Sequence, residues 1–106
     1  VESKIDVTCQ NYIARIKLTG RVDASNATVL SEELKKLVGQ PLKQIVFMVN
    51  ELEYISSAGL RAIIFAKQKI GENSQVFLIA PQPSVLEVIK MSGFDTFVTI
   101  QDSFND

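Results

Sequence analysis

The chain has 106 residues, 11 basic and 12 acidic side chains for a formal net charge of −1, and a composition that is 46% hydrophobic and 22% charged. That describes one globular domain, without the basic excess that holds a nucleic-acid backbone or an anionic membrane and without the run of about 18 apolar residues that inserts into a bilayer. Histidine is absent and Cys9 is the one cysteine, which excludes a Ser-His-Asp triad, histidine acid–base chemistry and Cys/His zinc sites.

Ile5, Val7 and Cys9 alternate with Asp6, Thr8 and Gln10. Past Asn11 a second alternation sets Tyr12, Ala14, Ile16 and Leu18 against Arg15, Lys17 and Thr19. Period two predicts two half-exposed strands joined by a tight turn, with Cys9 a small buried hydrophobe in a reducing compartment. Gly20-Arg21-Val22-Asp23 ends the second strand, and Asp23, three residues before Asn26, is placed to cap the next helix. That helix carries Ala27, Leu30, Leu34 and Leu37 on one face and Glu32, Glu33, Lys35 and Lys36 on the other. Gly39 and Pro41 end it.

Ile45 to Val49 is a continuous apolar run, the pattern of a central strand covered on both faces. It leads into Glu53-Tyr54-Ile55-Ser56-Ser57-Ala58-Gly59-Leu60-Arg61 and a helix from Ala58 to Ile70, closed by Gly71. The helix has a broad apolar arc (Leu60, Ile63, Ile64 and Ile70 with Ala58, Ala62, Phe65 and Ala66), relieved by Arg61, Lys67, Gln68 and Lys69. Deep packing on a sheet accounts for the arc more simply than a partner surface along its first turns. Val76 to Ala80 reads as another buried strand. Pro83 suits the first position of a helix with Val85, Leu86, Val88 and Ile89 inward and Gly93 at its end. Phe97 to Ile100 reads as a last short strand, and Gln101 to Asp106 as a helical turn or a frayed end. Val1-Glu2-Ser3-Lys4 lacks the apolar stretch of a signal peptide, so a cytoplasmic protein is expected. Strands alternating with helices imply right-handed crossovers into a largely parallel sheet with an antiparallel edge hairpin. The pattern leaves open how the helices divide between the two faces.

The junction at Ser56 and Ser57 is where chemistry is expected. Open α/β sheets place working groups where a parallel strand gives way to a helix, and the first N–H groups of that helix form an electropositive mouth. Either serine suits a helix cap. No G-x-S-x-G, G-x-x-x-x-G-K-[ST] or G-x-G-x-x-G accompanies them, so the chain reads as a nonenzyme without cofactor or metal, and a functional serine here would be acted upon by another protein. A phosphate on it, carrying about −1.5 to −2 charges, suits the positive end of a helix, and Arg61, one turn onward, is placed to pair with it. If the fold brings the first strand-to-helix junction alongside, Asp23 shares that surface.

The sequence resembles the STAS domains, in particular the single-domain bacterial anti-sigma factor antagonists. The resemblance spans essentially the whole chain. It is carried by Leu18-Thr19-Gly20-Arg21-Val22-Asp23, which looks like the family's L-x-G-x-L-D segment, by Tyr54-Ile55-Ser56-Ser57-Ala58-Gly59-Leu60, which looks like its D-S-[SA]-G-L phosphorylation motif, and by Met91-Ser92-Gly93-Phe94. It implies an α/β fold, a mixed and mostly parallel sheet with helices mainly on one face, as a single domain over residues 1–106. It also implies a noncatalytic switch that binds an anti-sigma factor when unmodified, that factor being a serine kinase too, with a metal-dependent serine phosphatase to reset it. Aligned on Gly59-Leu60, the phosphoacceptor is Ser57, with Asp23, Ser56, Ala58, Gly59 and Arg61 contributing to the partner surface. Ser56 stands where the family has aspartate, and Met48 where the preceding strand often has an acidic or amide residue. Two other readings use the same residues: a constitutive docking subunit of a transport or lipid-trafficking complex, with Ser57 only a cap, and a small-ligand or nucleotide site at the helix N-terminus.

Overall fold

The computed structural model describes residues 3–70 and 74–104. Strands β1 (Lys4–Gln10) and β2 (Ile13–Val22) form an antiparallel hairpin, followed by α1 (Ala27–Lys35), β3 (Gln44–Ile55), α2 (Ser57–Phe65), β4 (Gln75–Ile79), α3 (Pro83–Met91) and β5 (Thr99–Gln101). The five strands lie side by side in chain order, and every pairing after β1–β2 is parallel. That order decides what periodicity left open. The sheet grows in one direction only, and right-handed crossovers that all advance the same way deliver their helices to the same face. One core accordingly holds Leu30 and Leu34 of α1, Leu60 and Ile63 of α2, and Val85 and Ile89 of α3 against Ile16, Leu18, Phe47 and Leu78 of the sheet.

The opposite face carries a smaller cluster of Val46, Phe77 and Ile79. Both faces of β3 are therefore covered, but the second by the C-terminal segment and not by a helix. Phe104 packs on Phe77 with ring centroids 5.2 Å apart, and the Arg15 guanidinium lies 5.7 Å from the Phe104 ring centre.

Several local expectations shift. Tyr12, expected in line with the buried residues of β2, sits in the hairpin turn and is 58% exposed. Asn11 and Tyr12 both have positive φ, 52° and 64°, as the two-residue turn that matches strand twist requires. Cys9 is exposed. It does face the core side, opposite Ala14, but it lies on the edge strand next to the turn, and only Ile5 and Val7 of β1 reach the core. Phe97 is exposed and outside β5, because Gly93 at φ 79° and a short 3₁₀ turn over Phe94–Thr96 consume the chain before the strand begins. Helix α2 continues over Ala66–Ile70 in the wider π geometry. Gly71, expected to close it, lies outside the described residues, as do residues 105 and 106 of the expected terminal turn.

Candidate functional site

Strands β2 and β3 end together. Val22 pairs with Ile55, and the Ser56 amide donates to the Val22 carbonyl at 2.8 Å. Parallel strands that stop in register put their following turns side by side, so the junction after β2, beginning at Asp23, lies beside the junction after β3, beginning at Ser56. Asp23 and the two serines are brought to one edge of the sheet, which meets the condition on which Asp23 shares the serine surface.

The structure gives the two serines different positions. Ser56 is extended (φ −85°, ψ 171°), its Oγ accepts from the Gly59 amide at 3.2 Å, and its carbonyl accepts from the Leu60 amide at 2.9 Å. It is the N-cap. Ser57 is the first helical residue and is exposed. Among the described residues no hydrogen-bond partner engages its hydroxyl. With the Gly59 amide capped, those of Ser57 and Ala58 keep no acceptor within the helix, and the hydroxyl sits at the positive end of α2.

Around it, Ala58 is half-buried and Arg61 is exposed on the next turn of the helix. Among the described residues no carboxylate pairs with Arg61. Gly59 is buried. A Cβ on it would meet Val22 Cγ1 at 2.6 Å, Ile55 Cγ1 at 3.0 Å and the Val22 carbonyl oxygen at 3.2 Å. Its part in the site is to let the first turn of α2 settle directly on the ends of β2 and β3. The order of the sheet contains no reversal, so the crevice that takes ligands in doubly wound sheets, at the point where strand order reverses, does not arise. The junctions present a surface.

Asp23, expected to cap α1, does not: Asn26 holds the N-cap position, no side chain caps the helix, and the Asp23 carboxylate closes the turn before it. Its carboxylate accepts from the Ser25 hydroxyl at 2.6 Å and the Ser25 amide at 3.0 Å, while its carbonyl accepts from the Asn26 and Ala27 amides at 3.2 and 2.8 Å. Helix α1 then starts at Ala27 after Asn26, whose side chain is used elsewhere: its Oδ1 accepts from the Asp23 amide and its Nδ2 donates to the Arg21 carbonyl, both at 2.8 Å. The Ser25 hydroxyl, then the Ser25 amide, and then Arg21 hold the Asp23 carboxyl below the usual carboxylate range.

Arg21 and Tyr54 carry no pattern in the sequence that marks them as a pair. They are register partners across β2 and β3, and the Arg21 guanidinium lies 4.4 Å from the Tyr54 ring centre. Tyr54, 40% exposed, thus puts an aromatic face beside the serine junction, held by a cation–π contact. Both residues stand inside the quoted motifs, but only the strand register brings them together.

Chemically, the arrangement offers a hydroxyl, a cation one turn away, a neighbouring carboxylate and an aromatic ring, all outward. It suits recognition by another macromolecule. The STAS domain profile matches residues 4–106. BtrV of Bordetella bronchiseptica, assigned as an anti-sigma factor antagonist, is 36% identical over 87 residues, covering 81% of this chain and 75% of its own. The anti-sigma-F factor antagonist RsfB of Mycobacterium tuberculosis is 22% identical over 96% of this chain and 84% of its own. Among solved structures, an anti-sigma factor antagonist from Mycobacterium paratuberculosis superimposes with a TM-score of 0.85 at 17% identity, covering 97% of this chain and 88% of the other, a likeness of fold.

Proposed function

The chain belongs to the STAS domain family, and from that premise we propose that it is an anti-sigma factor antagonist, a noncatalytic cytoplasmic switch whose unmodified Ser57 surface sequesters a serine-kinase anti-sigma factor. The kinase phosphorylates Ser57 and releases the antagonist, and a metal-dependent phosphatase restores it. Asp23, Ala58 and Arg61 contribute to the contact, and Ser56 and Gly59 hold its shape.

The observation that carries this reading is the division of labour between adjacent serines. Ser56 is occupied as the cap, and Ser57 is exposed at the first helical position. The modified state is compatible with the fold, because a phosphate on Ser57 adds negative charge where the helix end is positive and Arg61 is spaced one turn away to pair with it. The cost of modification then falls on the interface, where added charge meets a surface shaped for a neutral hydroxyl. Ser56 in place of the family's aspartate removes a negative charge beside the acceptor and sets a second hydroxyl next to it.

The test is to incubate the chain with each purified serine-kinase anti-sigma factor of the source organism and ATP, and to map modified peptides by mass spectrometry. Phosphate on Ser57 is expected. Modification elsewhere, or none by a kinase shown to be active, overturns the assignment. Ser57→Asp is expected to weaken binding to the same kinase by at least about tenfold, since an unmatched interfacial charge costs on the order of several kcal/mol.

A further inference from the structure

Strand β3 outruns β4. Their pairing ends at Met48 and Ile79, while β3 continues beside β2 as far as Ile55. The stretch that carries the serine junction therefore has a strand along one edge only. Along its other edge the β4–α3 connection and the first turn of α3 supply one side chain each. Gln82 Nε2 donates to the Asn50 carbonyl at 3.1 Å, and Ser84 Oγ donates to the Glu53 carbonyl at 3.0 Å. The connection holds a costly shape. Ala80 has φ 54°, a conformation that favours glycine, and it precedes Pro81, which narrows the backbone choices of the residue before it. The Ala80 amide is tied to the Gln101 carbonyl of β5 at 2.7 Å. Strained backbone of this kind persists where its surroundings hold it in place.

We propose that Gln82 and Ser84 are positioning residues for the Ser57 junction: they stand in for the strand that β4 does not supply and set how the overhang of β3 presents Ser57 to its partner. This rests on the reading of Ser57 as the partner-facing serine and extends it to the start of α3, far away in sequence. Neither residue touches Ser57. Each acts through the β3 backbone, Asn50 and Glu53 being the points of attachment.

The experiment compares Gln82→Ala/Ser84→Ala, Ser84→Ala and Ser84→Thr with the wild-type chain. It reads amide hydrogen exchange over Asn50–Ile55, with Val76–Ile79 as an internal control, and affinity for the serine-kinase anti-sigma factor that binds the wild type. With two hydrogen bonds gone, exchange over Asn50–Ile55 is expected to rise about fivefold to tenfold while the β4 control stays within about twofold. Affinity is expected to fall about fivefold, and Ser84→Thr, which keeps the hydroxyl, should remain near wild type in both readouts. Unchanged exchange over Asn50–Ile55 overturns the proposal, as does an equal rise in the control or faster local exchange with unaltered affinity. Ser57→Asp is measured in parallel. If that substitution leaves binding intact, the reading of Ser57 fails, and with it the presentation role, while exchange still reports whether the brace exists.

Discussion

Gly59 lies against Val22 so closely that a Cβ on the glycine would stand 2.6 Å from Val22 Cγ1. Val22 cannot easily give way, since it is 1% exposed, stiff at χ1, and its carbonyl holds the Ser56 amide. Gly59→Ala is therefore expected to destabilise the chain, although alanine is the better helix former by about 1 kcal/mol. Overpacking of this kind costs about 1–3 kcal/mol, so a net loss of about 1 kcal/mol is expected in urea denaturation. A gain in stability would mean that α2 lifts off the strand ends without cost.

The paired serines give a sharper contrast. Ser56→Ala removes the N-cap and is expected to cost about 1 kcal/mol, whereas Ser57→Ala, at an exposed position with no side-chain partner among the described residues, should stay within about 0.5 kcal/mol of wild type. Phosphate transfer should show the reverse order: Ser57→Ala abolishes incorporation, and Ser56→Ala retains it. Denaturation and kinase assays on the same two proteins check both halves.

Much of this was legible beforehand because it depends on local pattern. The alternation through Ala14, Ile16 and Leu18 and the spacing of Leu30, Leu34 and Leu37 mark faces that are buried as expected. What escaped depends on neighbours that periodicity does not see. Cys9 follows the alternation of β1 faithfully yet is exposed, because burial at a sheet edge requires something above it. Phe104, beyond the last strand, reads as part of an end segment, yet it packs on the far face of the sheet. At the site, spacing allowed either serine to be the cap. Only the hydrogen bond from the Gly59 amide to Ser56 Oγ separates them. The contact of Arg21 with Tyr54 needed the register of two strands far apart in sequence.

The hairpin turn offers a stabilising substitution. Tyr12 carries a bulky side chain at φ 64°, where glycine is at ease. Tyr12→Gly relieves about 1–2 kcal/mol of backbone cost. It also loses the exposed contact of the Lys43 ammonium 5.7 Å from the ring centre, worth about 0.5–1 kcal/mol, and it loosens the unfolded chain. A small net gain of about 0.5 kcal/mol is expected, seen as a melting temperature raised by about 2–4 °C. A fall would show that the lysine–tyrosine contact outweighs the backbone.

Acid titration should isolate Asp23. The Ser25 hydroxyl is the largest influence lowering its pKa in the folded chain, followed by the Ser25 amide. A group whose pKa is depressed by folding contributes stability above its unfolded value, about 4 for aspartate, and that contribution fades as pH falls through the lower folded value. Asp23→Asn preserves the side-chain carbonyl as an acceptor but cannot ionise. The stability difference between wild type and Asp23→Asn should therefore be largest near neutral pH, hold down to about pH 5, and shrink progressively below about pH 4. Denaturation midpoints at several pH values between about 2 and 7 check this, because carboxylates common to both proteins cancel in the difference. A difference that stays constant with pH would mean that the Asp23 loop is held by the geometry of its hydrogen bonds and not by its charge.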